Sequence, residues 1–359
     1  MNANTQALHA LGQSLWLDNI TRTMLDDGTL ARYIADLSVT GLTSNPTIFD
    51  NAIRKSDAYD EAIKQKIARG TSGEALFFAL AIEDLTQAAD LFRPIHDRTG
   101  GVDGWVSLEV SPLLAYDAAS TIKAASELHA RAQRPNLFIK IPGTKEGLPA
   151  IEESIFAGVP INVTLLFSRE QYVGAADAYC KGIERRIKAG RDPKVTSVAS
   201  VFISRWDKAV MGKTPEALRD KLGIAIAKRT YKAYRDLLAS ERWQKLAAAG
   251  ARPQRLLFAS TSTKDPQAPD VLYISALAAP NTVNTMPEET LLAFGEHGSV
   301  SQAMPRDGGD AEQVLVAITR TGVDVSMLAK QLQDEGAKGF VDSWKELLGA
   351  IETKSKALT

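Results

Sequence analysis

Short apolar runs rich in β-branched residues recur along the chain, separated by stretches with helical periodicity. The strand candidates are Ser14–Asn19, Gly41–Asn45, Gly104–Val110, Leu137–Pro142, Ile161–Phe167, Thr196–Ser204, Arg255–Thr261 and Val271–Ala278. Several are apolar on both faces, as parallel strands covered by helices are. Helix signals fill the gaps. Thr71–Glu74 has capping-box spacing ahead of an apolar run. Thr214-Pro215-Glu216 sets a capping residue before a first-turn proline and predicts a helix reaching Tyr231 or beyond. Thr285 and Glu288 repeat the capping-box spacing, with Pro287 in the first turn. Alternation without a composition break predicts one α/β domain over residues 1–359, a single (β/α)8 TIM barrel with extra helices. Such a barrel takes about 250 residues. The surplus is assigned to helical insertions at about 50–100 and 206–250 and to a helical C-terminal tail at about 306–359. That tail has helix-like stretches at Ala311–Arg320 and Val341–Glu352, expected to pack as outer helices.

Charge narrows the function classes. Lys and Arg total 42 against 43 Asp and Glu, a formal net charge of −1, without the basic excess a nucleic-acid or anionic-membrane binder needs. The longest apolar stretch, Ala75–Ile82, is far short of the roughly 20 residues that span a bilayer. Residues 1–30 contain Asp18, Asp26 and Asp27 and lack the pattern of a signal peptide, so the cytoplasm is expected. Cys180 is the sole cysteine, which excludes an internal disulfide and any Cys-rich metal site. Phosphate-loop, dinucleotide-binding and serine-hydrolase motifs are missing, and His9, His96, His129 and His297 show no metal-ligand spacing.

The informative residues are polar groups inside the apolar runs. In Phe138-Ile139-Lys140-Ile141-Pro142, strand alternation puts Lys140 on one face with Phe138 and Pro142, and Pro142-Gly143 places it near the strand's C-terminal end. A lysine there either snorkels out or is buried, and burial disfavours the ammonium form and favours a nucleophilic amine. Asp18 ends the first strand, Asn45 the second and Glu109 the third, while Asn162 and Thr164 share a face of the fifth. Singly, each has an ordinary explanation: Asp18 and Asn45 as turn or cap residues, Thr164 as a β-former, Glu109 as a surface charge. Together they put polar groups at the same end of five successive strands, the catalytic end of a barrel. Ser200, Phe202 and Ser204 share a face of the sixth strand, with Arg205 next, and Lys264 follows Ser260-Thr261-Ser262-Thr263. A cation beside hydroxyls and loop amides suits a phosphate, though either charge alone fits a solvated loop equally well.

Leu17-Asp18, Thr43-Ser44-Asn45-Pro46, Val106–Val110, Ile139-Lys140-Ile141-Pro142 and Asn162–Ser168, in this order, resemble the transaldolases, class I Schiff-base enzymes of the non-oxidative pentose phosphate pathway. Ala259–Lys264 and Asn281–Pro287 are similar to the longer-chain bacterial and plant-type subfamily, and the resemblance runs from about Leu15 to about Glu289. It implies that a dihydroxyacetone unit moves from sedoheptulose 7-phosphate or fructose 6-phosphate to glyceraldehyde 3-phosphate or erythrose 4-phosphate. By the same resemblance Lys140 forms the imine, Asp18 moves the proton on the hydroxyl beside the broken bond, and Glu109 and Thr164 hold the catalytic water. Asn45, Asn162 and Ser200 would bind the dihydroxyacetone unit, Phe202 would wall it in, and Arg205 would bind phosphate. Shorter-chain members use a second arginine after the seventh strand; here Lys264 would have to supply that charge, without the bidentate fork. No metal or organic cofactor is implied, the partners are sugar phosphates, and a monomer or homodimer is expected. A fructose 6-phosphate aldolase-type lyase is the nearest alternative, but the related small aldolases are shorter and carry Gln and Tyr where Glu109 and Phe202 stand. A non-catalytic sugar-phosphate-binding regulator is another, yet binding alone requires neither an imine lysine nor a water activator.

Overall fold

In the computed structural model, which describes residues 1–359, eight parallel strands close a barrel in sequence order. They are β1 (Gln13–Asp18), β2 (Val39–Thr43), β3 (Trp105–Glu109), β4 (Leu137–Pro142), β5 (Ile161–Leu166), β6 (Ser197–Phe202), β7 (Arg255–Ala259) and β8 (Thr282–Met286). β8 pairs back onto β1, so no strand edge is left open. No helix is long and apolar enough to cross a membrane.

The eighth strand differs from the one expected. Val271–Ala278 folds around a short helix, Leu272–Ala276, and the barrel is closed instead by Thr282–Met286. An apolar run of that length does not distinguish strand from buried helix. The true β8 is polar, and most of its polar groups find partners inside the fold, Asn284 Nδ2 excepted. Thr282 Oγ1 donates to Ala279 O (2.6 Å), Asn284 Oδ1 accepts from Thr261 Oγ1 (2.8 Å), and Thr285 Oγ1 meets Thr43 Oγ1 (2.7 Å). Thr285 is therefore a barrel residue and not a helix cap; the following helix is Glu288–His297. Helix Gly73–Arg98 begins after Ser72 without a side-chain cap bond, so the expected capping box does not form. Thr214 opens no long helix either. Glu216–Leu218 makes one 3₁₀ turn, and the long helix is Leu222–Ala239. Its free amides at Leu222 and Gly223 donate to the buried carboxylate of Asp207, at 2.9 and 3.1 Å, an N-cap supplied from a distant segment.

Inside the barrel, alternation sends Trp16, Trp105, Phe138, Val198, Leu257 and Val283 into one apolar plug. Trp105 and Phe138 stack at 4.1 Å between centroids. Gly41 makes room: a Cβ there would lie 2.5 Å from the Trp16 indole. Beneath the plug, Ser14, Asp103 and Arg255 form a polar layer in which Asp103 accepts from Trp16 Nε1 (3.0 Å) and Arg255 Nη2 donates to Ser14 Oγ (2.7 Å). The plug thus sets a floor, and the polar residues of the strand ends stand above it.

The tail contains helix Ala311–Arg320 and a single 34-residue helix, Val325–Leu358. At 1.5 Å per residue the latter is about 50 Å long. Gly336 and Gly339, poor helix formers, conceal its first half from a sequence reading. Packing sustains it: Leu332, Gly336, Phe340, Trp344, Leu347 and Ile351 are buried at helical spacing along one face. It is not an outer helix of the barrel wall. Gln333 Nε2 donates to Gly143 O (3.1 Å) and Leu165 O (2.9 Å), so the helix crosses the C-terminal ends of β4 and β5.

Candidate active site

Lys140 stands on the inner face of β4, 5% exposed. Its Nζ donates to Ser44 O (3.2 Å) and lies 3.4 Å from Glu109 Oε2, its neighbour on β3 by register. Both Glu109 oxygens, and the hydroxyl of Thr164, are buried without a hydrogen-bond partner. Burial pushes the Glu109 carboxyl above its ordinary range, against the pull of Lys140, and the charge of Asp18 adds to the upward push. Asp18 is raised as well, by burial, opposed by Lys140, by the bond it accepts from Thr43 Oγ1 (2.7 Å), and by Arg205 and Lys264. Two carboxyls held towards the neutral form beside one buried amine suit proton transfer.

A cavity of about 150 Å³ opens above the plug. Asp18, Asn45, Lys140, Thr164, Ser200, Phe202, Arg205 and Lys264 all line it. Eight of the ten residues expected at the site therefore line this one cavity. The other two sit behind it. Glu109 reaches the cavity through Lys140. Asn162 is fully buried, accepting from Ser200 Oγ (2.7 Å) and donating to Ser107 Oγ (3.1 Å), so its amide orients Ser200. Asn45 combines two placements: Oδ1 accepts from Ile48 N (3.1 Å), capping helix Pro46–Lys55, while the residue still lines the cavity.

The cations gather on the β6 and β7 side. The Arg205 guanidinium lies 4.9 Å from the centroid of Phe202, which in turn stacks on Phe167 at 5.3 Å. Burial holds Arg205 below its ordinary range, with Asp18 acting the other way. Lys264 is lowered by burial of its ammonium and by the positive charges of Lys208 and Arg205. Two mutually repelling cations on one wall are arranged for an anion.

Ser260 and Ser262, from the hydroxyl-rich loop expected beside the phosphate, also line the cavity, and so do Thr43, Thr285, Pro287 and Phe340, to which the sequence assigns no site role. Thr285 sits in a polar run whose spacing to Glu288 mimics a helix cap. Phe340 offered no local signal, since only the path of the terminal helix brings it here.

Residues 15–351 match the model of a family described as Transaldolase/Fructose-6-phosphate aldolase. A Transaldolase of Frankia alni is 48% identical over 354 residues, covering 96% of this chain and 95% of that protein. A Transaldolase of Thermobifida fusca is 45% identical over 368 residues, covering all of both chains. A Transaldolase of Mycolicibacterium smegmatis is 42% identical over 360 residues, with 98% and 97% coverage. With a family match spanning nearly the whole chain and relatives of this identity over their full lengths, the chain belongs to the Transaldolase/Fructose-6-phosphate aldolase family.

Proposed function

We propose that this protein is a transaldolase, transferring a dihydroxyacetone unit from fructose 6-phosphate or sedoheptulose 7-phosphate to erythrose 4-phosphate or glyceraldehyde 3-phosphate through an imine on Lys140. The observation that carries this reading is the Lys140 amine, buried 3.4 Å from Glu109 in a cavity also lined by Arg205 and Lys264. The amine adds to the donor's C2 carbonyl and water leaves, giving an iminium. Glu109 and Thr164, with unused hydrogen-bonding capacity beside Lys140, manage that water. Asp18, across the cavity, takes the proton from the C4 hydroxyl. The C3–C4 bond then breaks, its electron pair passes to the iminium as an enamine, and the aldose phosphate departs. The acceptor aldehyde is attacked by the enamine carbon and the steps reverse. Ser200 and Asn45 hold the three-carbon unit, with Asn162 behind Ser200, and Arg205 and Lys264 hold the phosphate.

Relatives named Transaldolase over nearly full length favour transfer over simple aldol cleavage, which the family's description also embraces. This activity would place the protein among the cytoplasmic enzymes of the non-oxidative pentose phosphate pathway. Incubation with fructose 6-phosphate followed by borohydride should leave a three-carbon adduct on Lys140 detectable by mass spectrometry. Added erythrose 4-phosphate should yield sedoheptulose 7-phosphate. No adduct under turnover would overturn the imine, and free dihydroxyacetone as the main product would favour the lyase.

A further inference from the structure

We propose that Phe340, brought to the barrel mouth by the terminal helix, keeps water from the imine carbon and so sets the partition between transfer and hydrolytic release of the three-carbon unit. The inference deepens the Schiff-base reading above and rests on it.

Helix Val325–Leu358 is fitted to the reacting strands, turn by turn. Gln333 bonds the carbonyls of Gly143, just past the end of β4, and of Leu165, next to Thr164 near the end of β5. Leu165 has φ 59°, a left-handed conformation uncommon for a side chain of this kind, and β5 loses regular pairing between Val163 and Leu166. At Gly336 a Cβ would lie 2.9 Å from Leu165 Cδ2 and 3.2 Å from Arg205 Nη1, so glycine is what allows the helix this close. One turn further, on the same face, Phe340 enters the cavity, 7% exposed, with its ring centroid 5.8 Å from Lys140 Nζ. The anchors of the helix lie elsewhere: Trp344 packs edge-on against Phe77 at 5.0 Å, and Leu347 and Ile351 are buried beyond it.

After C3–C4 cleavage, the Lys140 nitrogen carries a three-carbon enamine with two fates. In transfer, C3 forms a carbon–carbon bond to the acceptor aldehyde. In release, C3 takes up a proton, restoring the iminium. Water then adds to C2, the C–N bond breaks, and dihydroxyacetone leaves a free amine. Both fates end with water at C2, one bond from Nζ. In release that water arrives while the three-carbon unit leaves the rest of the cavity open, whereas in transfer the product's own phosphorylated chain fills it. A phenyl ring over that nitrogen occupies the approach from the helix side and leaves hydration there to Glu109 and Thr164, which are positioned groups instead of bulk solvent.

The test measures dihydroxyacetone released per sedoheptulose 7-phosphate formed, with fructose 6-phosphate as donor and erythrose 4-phosphate as acceptor. Phe340→Ala should raise that ratio about tenfold, equal to about 1.4 kcal/mol between the two barriers. Phe340→Leu, which refills the volume, should restore most of it. Gln333→Ala, outside the cavity, should move the ratio in the same direction by loosening the helix, and it stands as the test should Phe340→Ala not fold. A merely structural role would lower both products together. An unchanged ratio, in Phe340→Ala or, failing its folding, in Gln333→Ala, while borohydride still traps the adduct, overturns the inference. A wild-type protein that yields no adduct overturns the Schiff-base reading and this inference with it.

Discussion

Arg205 offers the sharpest test of how the site holds its substrate. Its guanidinium is fixed over the Phe202 ring at 4.9 Å and shares the cavity wall with Lys264. Arg205→Ala removes a charge-assisted hydrogen-bonding group, worth about 1.5–3 kcal/mol. That corresponds to a loss of roughly 10- to 150-fold in kcat/KM for a phosphorylated donor. The lower half of the range is expected, because Arg205 repels Lys264 and its removal lets the lysine hold its proton more firmly. The assay compares fructose 6-phosphate with unphosphorylated fructose as donor, coupling aldose formation to reductant consumption. Loss should fall on KM for the phosphate ester and leave fructose turnover nearly unaltered. Arg205→Lys should lie between wild type and alanine, since charge persists without the planar fork. In a double-mutant cycle with Lys264→Ala, the two losses should not add, because both cations meet one anion. An equal loss with both donors, or an unchanged KM for fructose 6-phosphate, would refute the assignment.

Three further outcomes follow from the packing. Gly41→Ala drives a methyl to 2.5 Å from the Trp16 indole and should cost about 1–3 kcal/mol in chemical denaturation, leaving far-ultraviolet dichroism native. Burial raises the Asp207 carboxyl to about 6, Asp220 adding slightly, while its bonds from Tyr273, Gly223 and Leu222 pull it down. Because the folded value exceeds the unfolded one, the native state binds the extra proton: this contribution is complete below pH 4 and lost as pH rises through 6, roughly 3 kcal/mol in all. Asp207→Asn should flatten the stability profile in that window, and a slope like the wild type's would remove Asp207 as its source. Cys180 is buried, which lifts its thiol to about 11, so Ellman's reagent at pH 8 should find no thiol in the native protein and one after guanidinium unfolding.

Much of the site was legible because polar residues interrupt buried strands. Lys140 is conspicuous between Ile139 and Ile141, and Thr164 between Val163 and Leu165, and both line the cavity. The same rule, that strands are apolar, misplaced the eighth strand, whose Thr282, Asn284 and Thr285 find partners in β1, in β2, in the loop after β7 and at Ala279. Asn45 shows that cap and cavity residue are not competing explanations, since one oxygen serves the helix while the residue lines the site. Phe340 was beyond reach for another reason. Its significance depends on a helix passing over strands some two hundred positions earlier, and Gly336, one of the two glycines that weaken the local helix signal, is part of what lets that helix come near.

The plug of Trp16, Trp105 and Phe138 has a kinetic consequence. It fills the barrel below the cavity, so in the proposed mechanism the departing aldose phosphate and its replacement use the same end of the barrel, the end crossed by the terminal helix. The cavity, about 150 Å³, is small for two sugar phosphates at once, so exit is expected to precede admission. The enzyme is thereby committed to alternate between an empty and a loaded form. Parallel double-reciprocal plots, with each aldose competing against the other for the loaded form, are what a room with one door imposes.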